Sequence, residues 1–302
     1  VSAATITLSG VSKHYGAQRA VEDVDLTLRG GERIALVGHN GAGKSTLIKL
    51  MLGLARPTAG RITVLGAEPG GATKAAIGYL PENLVLQPSA TGAELMAFYA
   101  RLKREPVSHN RAILERVGMT QAAQRRVHTY SKGMRQRIGL AQALIGKPRV
   151  LLLDEPTTGL DPALRQDFYE IVGELARDGA TVLISSHALA ELEGQSDRVV
   201  VMNRGRKVAD GTIAELRNMA ERPVRIRITL PEGNVAVLPD TFGKVEWERI
   251  GERVLEFRCT AAAKADVVRR LAASPVPFRD IEILAPTLDE IYAHFLKREA
   301  AE

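Results

Sequence analysis

Residues 38–46 read Gly38-His39-Asn40-Gly41-Ala42-Gly43-Lys44-Ser45-Thr46 and fit the spacing G-x-x-x-x-G-K-[ST]. Each part has a chemical reason. Glycines let backbone amides turn inward around phosphate oxygens, where a Cβ would block the path. Lys44 offers a cation to the outer phosphates of a nucleoside triphosphate, and the Ser45 hydroxyl is a ligand for Mg²⁺. A helix starting here adds the positive end of its dipole. The glycines do not fit G-x-G-x-x-G, which disfavours a dinucleotide site.

A second group of reactive side chains closes apolar runs. VLLLDEP puts Asp154 and Glu155 at the end of one. After a phosphate loop, Asp154 is expected to reach Mg²⁺ and Glu155 to polarise an attacking water as general base. Taken alone, such a pair is equally a helix cap or an ion pair. ATVLISSH ends at His187, which is placed to touch a terminal phosphate at Lys44, although a lone histidine is more often structural. Tyr15, in KHYGA, is either core or a stacking surface for a base.

These residues require strands and helices to hold them. Ile6, Leu8, Val24, Leu26 and Leu28 alternate as in half-buried strands. ERIALVG, VLLLD and ATVLISSH are short apolar runs of the kind covered on both faces. Leu47, Leu50, Met51 and Leu54 have helical spacing, with Pro57 beyond, so the first site reads strand, glycine loop, helix. Residues 92–147 read as mostly helical, with Leu95, Phe98, Tyr99 and Leu102 on one face. VVVMNRGRKVADG reads as a hairpin turning at Gly205. The fold class expected is α/β. The texture changes at Arg222–Pro223, where VRIRITL, VLEFRC, ADVVRRLAA, IEIL and LDEIYAHFLKR predict a small α+β domain. The expected domains are 1–221, with a helical subdomain at about 88–147, and 222–302.

Tyr130-Ser131-Lys132-Gly133-Met134-Arg135-Gln136-Arg137 stands between the glycine loop and VLLLDEP. With the motifs above, it resembles the signature of ABC transporter ATP-binding subunits, usually L-S-G-G-Q followed by R-Q-R. Ser131 and Gly133 match; Lys132 replaces a glycine and Met134 the glutamine. The resemblance covers roughly residues 5–220. It implies a P-loop ABC ATPase domain that hydrolyses ATP with Mg²⁺ in a head-to-tail dimer of two copies. Each ATP then lies between Lys44 of one copy and Ser131 and Gly133 of the other. It further implies that Tyr15 stacks on adenine, Asp161 in TGLDP crosses the dimer, His187 is the switch histidine, and Glu82 in GYLPEN stands at the usual metal-contacting glutamine. An integral membrane permease is the implied partner, with the ATPase at the cytoplasmic face of a bacterial membrane. GHNGAGKST, GYLPEN, HTYSKGMRQRIGLAQAL and IEILAPTLDEIY resemble most the NosF-type ATPases. Those serve copper processing for nitrous oxide reductase maturation and imply a periplasmic partner. The alternative is an ATPase of another exporter of drugs, lipids or polysaccharides, or a soluble ATPase acting on nucleic acid or ribosomes.

Composition narrows these alternatives. The chain has 302 residues, 45% hydrophobic, and a formal charge of +6. Its one cysteine, Cys259, excludes an internal disulfide framework and a cysteine-rich metal site. Scattered His and Met argue against direct copper binding. No apolar stretch approaches a spanning helix, and VSAATITLSG lacks a secretion-signal pattern, so an intracellular protein is expected. Residues 101–149 carry twelve Lys and Arg against Glu105 and Glu115 alone. Without interleaved aromatics this is not a nucleic-acid footprint, and no nucleic-acid partner is expected. It is either a solvated face or a surface for the membrane partner.

Overall fold

The computed structural model describes residues 3–232, 245–274 and 276–299, so the outermost residues of both expected domains lie outside it. The described chain divides into two compact units, 1–212 and 213–302, rather than at 221/222.

In the first unit the strands are β1 (Ala4–Tyr15), β2 (Gln18–Arg29), β3 (Arg33–Val37), β4 (Ala59–Val64), β5 (Ile77–Leu80), β6 (Val150–Asp154), β7 (Thr181–Ser186), β8 (Arg198–Asn203) and β9 (Arg206–Gly211). Its helices are α1 (Lys44–Met51), α2 (Gly92–Lys103), α3 (Asn110–Arg116), α4 (Lys132–Leu144) and α5 (Pro162–Arg177). Six strands form one sheet in the order β5-β6-β7-β3-β8-β9. Pairing is parallel from β5 through β8, and β9 returns antiparallel. The apolar runs read from sequence are its central strands, and β6 is buried at every residue. Because β6, β7 and β3 are parallel neighbours, the loops after them emerge side by side at one edge. Asp154 pairs with Ser185, and Val37 with Ser186. Ligands bind at such carboxyl edges.

The alternating strands β1, β2 and β4 form a separate antiparallel sheet, β2-β1-β4. Its inward residues Ile6, Leu8, Val24, Leu26 and Leu28 join Ile34, Leu36, Leu47, Ile48 and Leu50 in one core. The core clamps α1 between its sheets, which fixes the start of α1 against the glycine loop. Leu54 lies past the end of α1 and is exposed, unlike the helical face expected for it.

The helical segment contains α2, α3 and α4. Thr91 caps α2 through a capping box with Glu94. The residues read as sharing one face of α2 differ in burial. Leu95 is buried with Met96 and Ala100, but Phe98 and Leu102 are 54% and 65% exposed. Their spacing marks an apolar surface stripe, which periodicity alone cannot tell from a core face.

The second unit holds α6 (Ile213–Met219), β10 (Val224–Thr229), β11 (Glu246–Ile250), β12 (Val254–Cys259), α7 (Lys264–Ala273), β13 (Asp280–Leu284) and α8 (Leu288–Glu299). Its sheet is antiparallel, in the order β11-β12-β10-β13. Val224, Ile226, Ile228, Leu255 and Phe257 pack with Val267 and Leu271 of α7. On β10 the alternate residue Arg227 pairs with buried Glu256 at 2.8 Å. The expected α+β character is present.

Candidate active site

The loop after β3 wraps a cavity of about 280 Å³. His39, Asn40, Gly41, Gly43, Lys44, Ser45, Thr46, Glu82 and Glu155 line it. The glycines are required by geometry. Gly43 has φ +103°, and a Cβ there would stand 2.5 Å from the Ala20 carbonyl oxygen. Gly38 is equally confined, with the Met202 carbonyl oxygen 2.7 Å from where its Cβ would lie and Ala42 beside it. Gly43 caps α1 without a side chain, so the first amides of that helix have no side-chain acceptor at the cap.

Lys44 is buried, and its Nζ donates to the Gly38 carbonyl at 2.6 Å. It also lies 3.4 Å from Glu155 Oε1. Glu155 is buried with φ +49°, a strained backbone for a residue with a side chain. The Ser185 hydroxyl holds that backbone, accepting from Glu155 N at 2.9 Å and donating to Asp154 Oδ1 at 2.6 Å. Glu155 Oε2 is 2.8 Å from His187 Nδ1. Its Oε1 has no hydrogen bond among the described residues. A buried carboxylate oxygen aimed at the lysine of a phosphate loop can accept a proton from water held there.

Asp154 is buried at the end of β6. Tyr79, on neighbouring β5, has its phenol pKa pushed up to about 12 by burial first, then by the charges of Asp154 and Glu82. Both carboxylates therefore lie within electrostatic reach of one ring. Ser45 and Glu82 line the cavity and Asp154 is buried at the adjacent strand end; all three offer oxygen, which suits a hard cation completed by phosphate oxygens and water. Among the described residues no group of three His, Cys, Asp or Glu is built to hold a metal by itself.

Other expected residues stand elsewhere. Tyr15 is 48% exposed with Lys13 Nζ 4.9 Å above its ring, so it is no core residue. Ser131 caps α4, accepting from Met134 N at 3.2 Å, and Gly133 is buried where a Cβ would strike Leu164. Asp161 caps α5, accepting from Leu164 N at 2.9 Å. Ser131 lines a different cavity, of about 420 Å³, with Met134, Arg125 and Arg137. A single chain thus does not join its signature to its glycine loop. His187 meets Glu155 and is half exposed.

Some residues of the site were missed by motif reading. Gln18 and Ala20 line the glycine-loop cavity, and Asn203 Oδ1 is 2.8 Å from His39 Nε2. Ser185 is two residues before His187, and that proximity was the only sequence signal for it. Gln136 Nε2 reaches the Pro156 carbonyl at 2.5 Å, tying the signature helix to the loop after Glu155.

Residues 21–158 match the family model for the ABC transporter. A daunorubicin resistance ATP-binding protein, DrrA3, of Streptomyces coeruleorubidus is 36% identical over 96% of this chain and 95% of its own. A linearmycin resistance ATP-binding protein, LnrL, of Bacillus subtilis (strain 168) is 32% identical over 95% of this chain and 97% of its own. A solved structure of an ATP binding subunit of an ABC transporter superposes with TM-score 0.66 at 31% identity, covering 71% of this chain and 92% of that one. With the P-loop ABC fold and this site in place, the chain belongs to the ATP-hydrolysing ABC transporter ATP-binding subunits.

Proposed function

We propose that this chain powers an exporter of amphipathic small molecules, hydrolysing ATP in a head-to-tail dimer beneath a membrane permease. One observation carries the exporter reading. The drug-resistance relatives align along nearly the whole chain, including the second unit. The copper-maturation role suggested by GYLPEN and HTYSKGMRQRIGLAQAL has no counterpart in the names of those relatives. With it goes the reason to expect a periplasmic partner. The separation of Ser131 from the glycine-loop cavity supports the dimer, because a second copy supplies the missing signature.

In this reading ATP phosphates lie against the amides of residues 41–46. Lys44 exchanges its contact with Glu155 for phosphate oxygens. Glu155 is then free to take the proton of the attacking water, and His187 holds its other oxygen in line. Ser185 keeps Asp154 and the strained Glu155 backbone in register. Ser45, Glu82 and Asp154 would hold Mg²⁺, which supplies charge neutralisation at the β and γ phosphates. Across the dimer, Ser131, Gly133 and Asp161 face the partner copy's ATP, and Tyr15 stacks on adenine. Phe98 and Leu102, beside Arg101 and Arg104, offer an apolar and basic surface to the permease at the inner face of the cell membrane. Among the described residues no helix is long and apolar enough to cross a membrane.

The test is to isolate the tagged full chain from detergent-solubilised membranes and to follow drug accumulation in cells lacking it. Co-purification of a multi-span membrane protein, with raised accumulation of an anthracycline-like drug, is expected. Fractionation with ribosomes would overturn the transporter reading. Unchanged accumulation with loss of nitrous oxide reductase copper would replace the exporter reading by the copper one.

A further inference from the structure

Glu191 belongs to none of the motifs above. It lies in the short 3₁₀ turn Leu189–Leu192 that follows His187. Its Oε1 is 2.7 Å from Arg165 Nη1, and its Oε2 accepts from Thr157 Oγ1 at 3.3 Å. Both partners belong to segments that carry site residues. Arg165 lies on α5, capped by Asp161, and its Nη2 donates to the Leu160 carbonyl at 3.1 Å. Thr157 is buried two residues beyond Glu155, and the next residue, Thr158, donates to Glu155 Oε2 at 3.4 Å. Arg165 and Glu191 are mostly shielded, at 28% and 21% side-chain exposure. A charge-assisted pair in that setting holds geometry better than a solvated one. Tyr169 packs into the same cluster. Its phenol pKa is raised, by burial first, with Glu191 and Glu155 among the other causes.

We propose that Glu191 is a positioning residue for hydrolysis, its one carboxylate locking together the segments that carry Glu155, Asp161 and His187. The step rests on the reading of Glu155 as general base. Asp161 is the residue that meets the partner copy in the proposed dimer. A displacement of its loop pulls on Arg165 through the Leu160 carbonyl. Arg165 pulls on Glu191, and Glu191 on Thr157 and the turn after His187. The base is therefore aimed when the Asp161 loop is seated. Without the ion pair the two loops move independently and the aim is lost, while the phosphate-binding amides are untouched.

The experiment is a double-mutant cycle in the full chain with Glu191→Gln and Arg165→Ala. ATP affinity, kcat and melting temperature are measured for each. Each single variant is expected to lower kcat roughly tenfold, and the double variant no further than the worse single, because both break one interaction. ATP affinity should stay within about twofold of wild type, since neither Arg165 nor Thr157 lines the glycine-loop cavity. Arg165→Lys should recover part of the rate, and it completes the cycle if Arg165→Ala does not fold. Unchanged kcat in both singles, or losses that multiply in the double, would overturn the proposal. So would a rate loss matched by equal losses of ATP affinity and melting temperature, which would make the cluster a folding element only. Glu155→Gln run alongside separates the levels. If it is inactive while the Glu191 and Arg165 variants hydrolyse normally, only the positioning role falls. If it hydrolyses normally, the base assignment falls and takes the positioning role with it.

Discussion

Replacing Glu155 by glutamine keeps the side chain's size and an oxygen able to accept from His187 and Thr158, but removes its charge and its proton-accepting power. The backbone bond from Glu155 N to Ser185 is untouched, so the strained φ of +49° persists. A general base is worth about 10²–10⁴ in rate. Taking the middle, the variant should lose about a thousandfold in turnover, or roughly 4 kcal/mol of barrier. Binding should move the other way. Lys44 lies 3.4 Å from Glu155 Oε1, a gross attraction of roughly 5 kcal/mol at an effective dielectric of 20. ATP must replace that contact with its phosphates, and most of the attraction is returned when it does. Removing the carboxylate also removes a negative charge facing the γ phosphate. ATP should therefore bind a few times more tightly, and the closed dimer should accumulate. Single-turnover hydrolysis, ATP titration by fluorescence and sedimentation of the ATP-loaded chain measure the three effects. Wild-type turnover would refute the base assignment. So would a rate loss accompanied by tenfold weaker ATP binding, because that pattern marks damage to the phosphate site instead.

Four further variants probe other parts of the molecule. Ser185→Ala leaves Asp154 Oδ1 and Glu155 N without their buried partner, and should cost about 1–3 kcal/mol in thermal or urea unfolding, with lower kcat. Gly43→Ala forces a Cβ toward the Ala20 carbonyl at φ +103°, and should cost about 1–3 kcal/mol in unfolding and weaken ATP binding measured by calorimetry. For Tyr79 the folded pKa, about 12, lies above the ordinary phenol value of 10.0, so the folded state holds its proton longer. Its contribution is present in full below pH 10 and is lost as the pH rises through about 12. Solvent screening of this half-buried ring reduces it to on the order of 1 kcal/mol, and Tyr79→Phe should flatten that part of the alkaline unfolding curve. Arg101→Glu with Arg104→Glu should weaken recovery of the chain with its permease while leaving ATP affinity unchanged. Equal recovery would return these arginines to a solvated face.

The active-site edge was legible in sequence because parallel strands buried on both faces are written as continuous apolar runs. The runs ending at Val37, Asp154 and Ser186 prove to be adjacent strands, and the polar residues just past them converge. Residues acting through register left no such trace. Ser185 reads as one more small polar residue until β6 and β7 are paired and it faces Asp154. Asn203 meets His39 only because β8 lies beside β3. The basic segment misled in a different way. Lys103 counted toward its charge, yet its ammonium is half-buried and donates to the Ile77 and Ile145 carbonyls at 3.3 and 2.9 Å. Burial lowers its pKa, so it belongs to the packing of β5 against the helices and not to a surface. Arg116 and Arg137 are paired with acids on α5 or just past its end, outside the segment that was counted. A charge sum over sequence cannot see such partners. Phe98 and Leu102 show the opposite case, because an exposed helix stripe has the same spacing as one kept for the core.

In the proposed dimer, the division of labour inside the first unit calls for a second copy of the chain. The helix whose start offers Ser131, α4, is tied through Gln136 to the carbonyl next to Glu155, and near its far end through Gln142 to the Tyr79 carbonyl on β5. Each hydrogen bond reaches one side of the glycine-loop site from behind. The signature itself opens on another cavity. A phosphate gripped by a second copy's Ser131 would therefore pull on a helix already bonded to that copy's own Glu155 loop and β5. In the proposed dimer, binding at one nucleotide would then be felt at the base of the other. That coupling would run through the two hydrogen bonds and the packing of α4 on β5 and its loop, where a Cβ added at Gly139 would push on the side-chain ends of Leu80 and Leu84. Gly139→Ala should accordingly loosen the link between the two sites before it disturbs ATP binding at either, visible as a lower Hill coefficient for hydrolysis at unchanged ATP affinity.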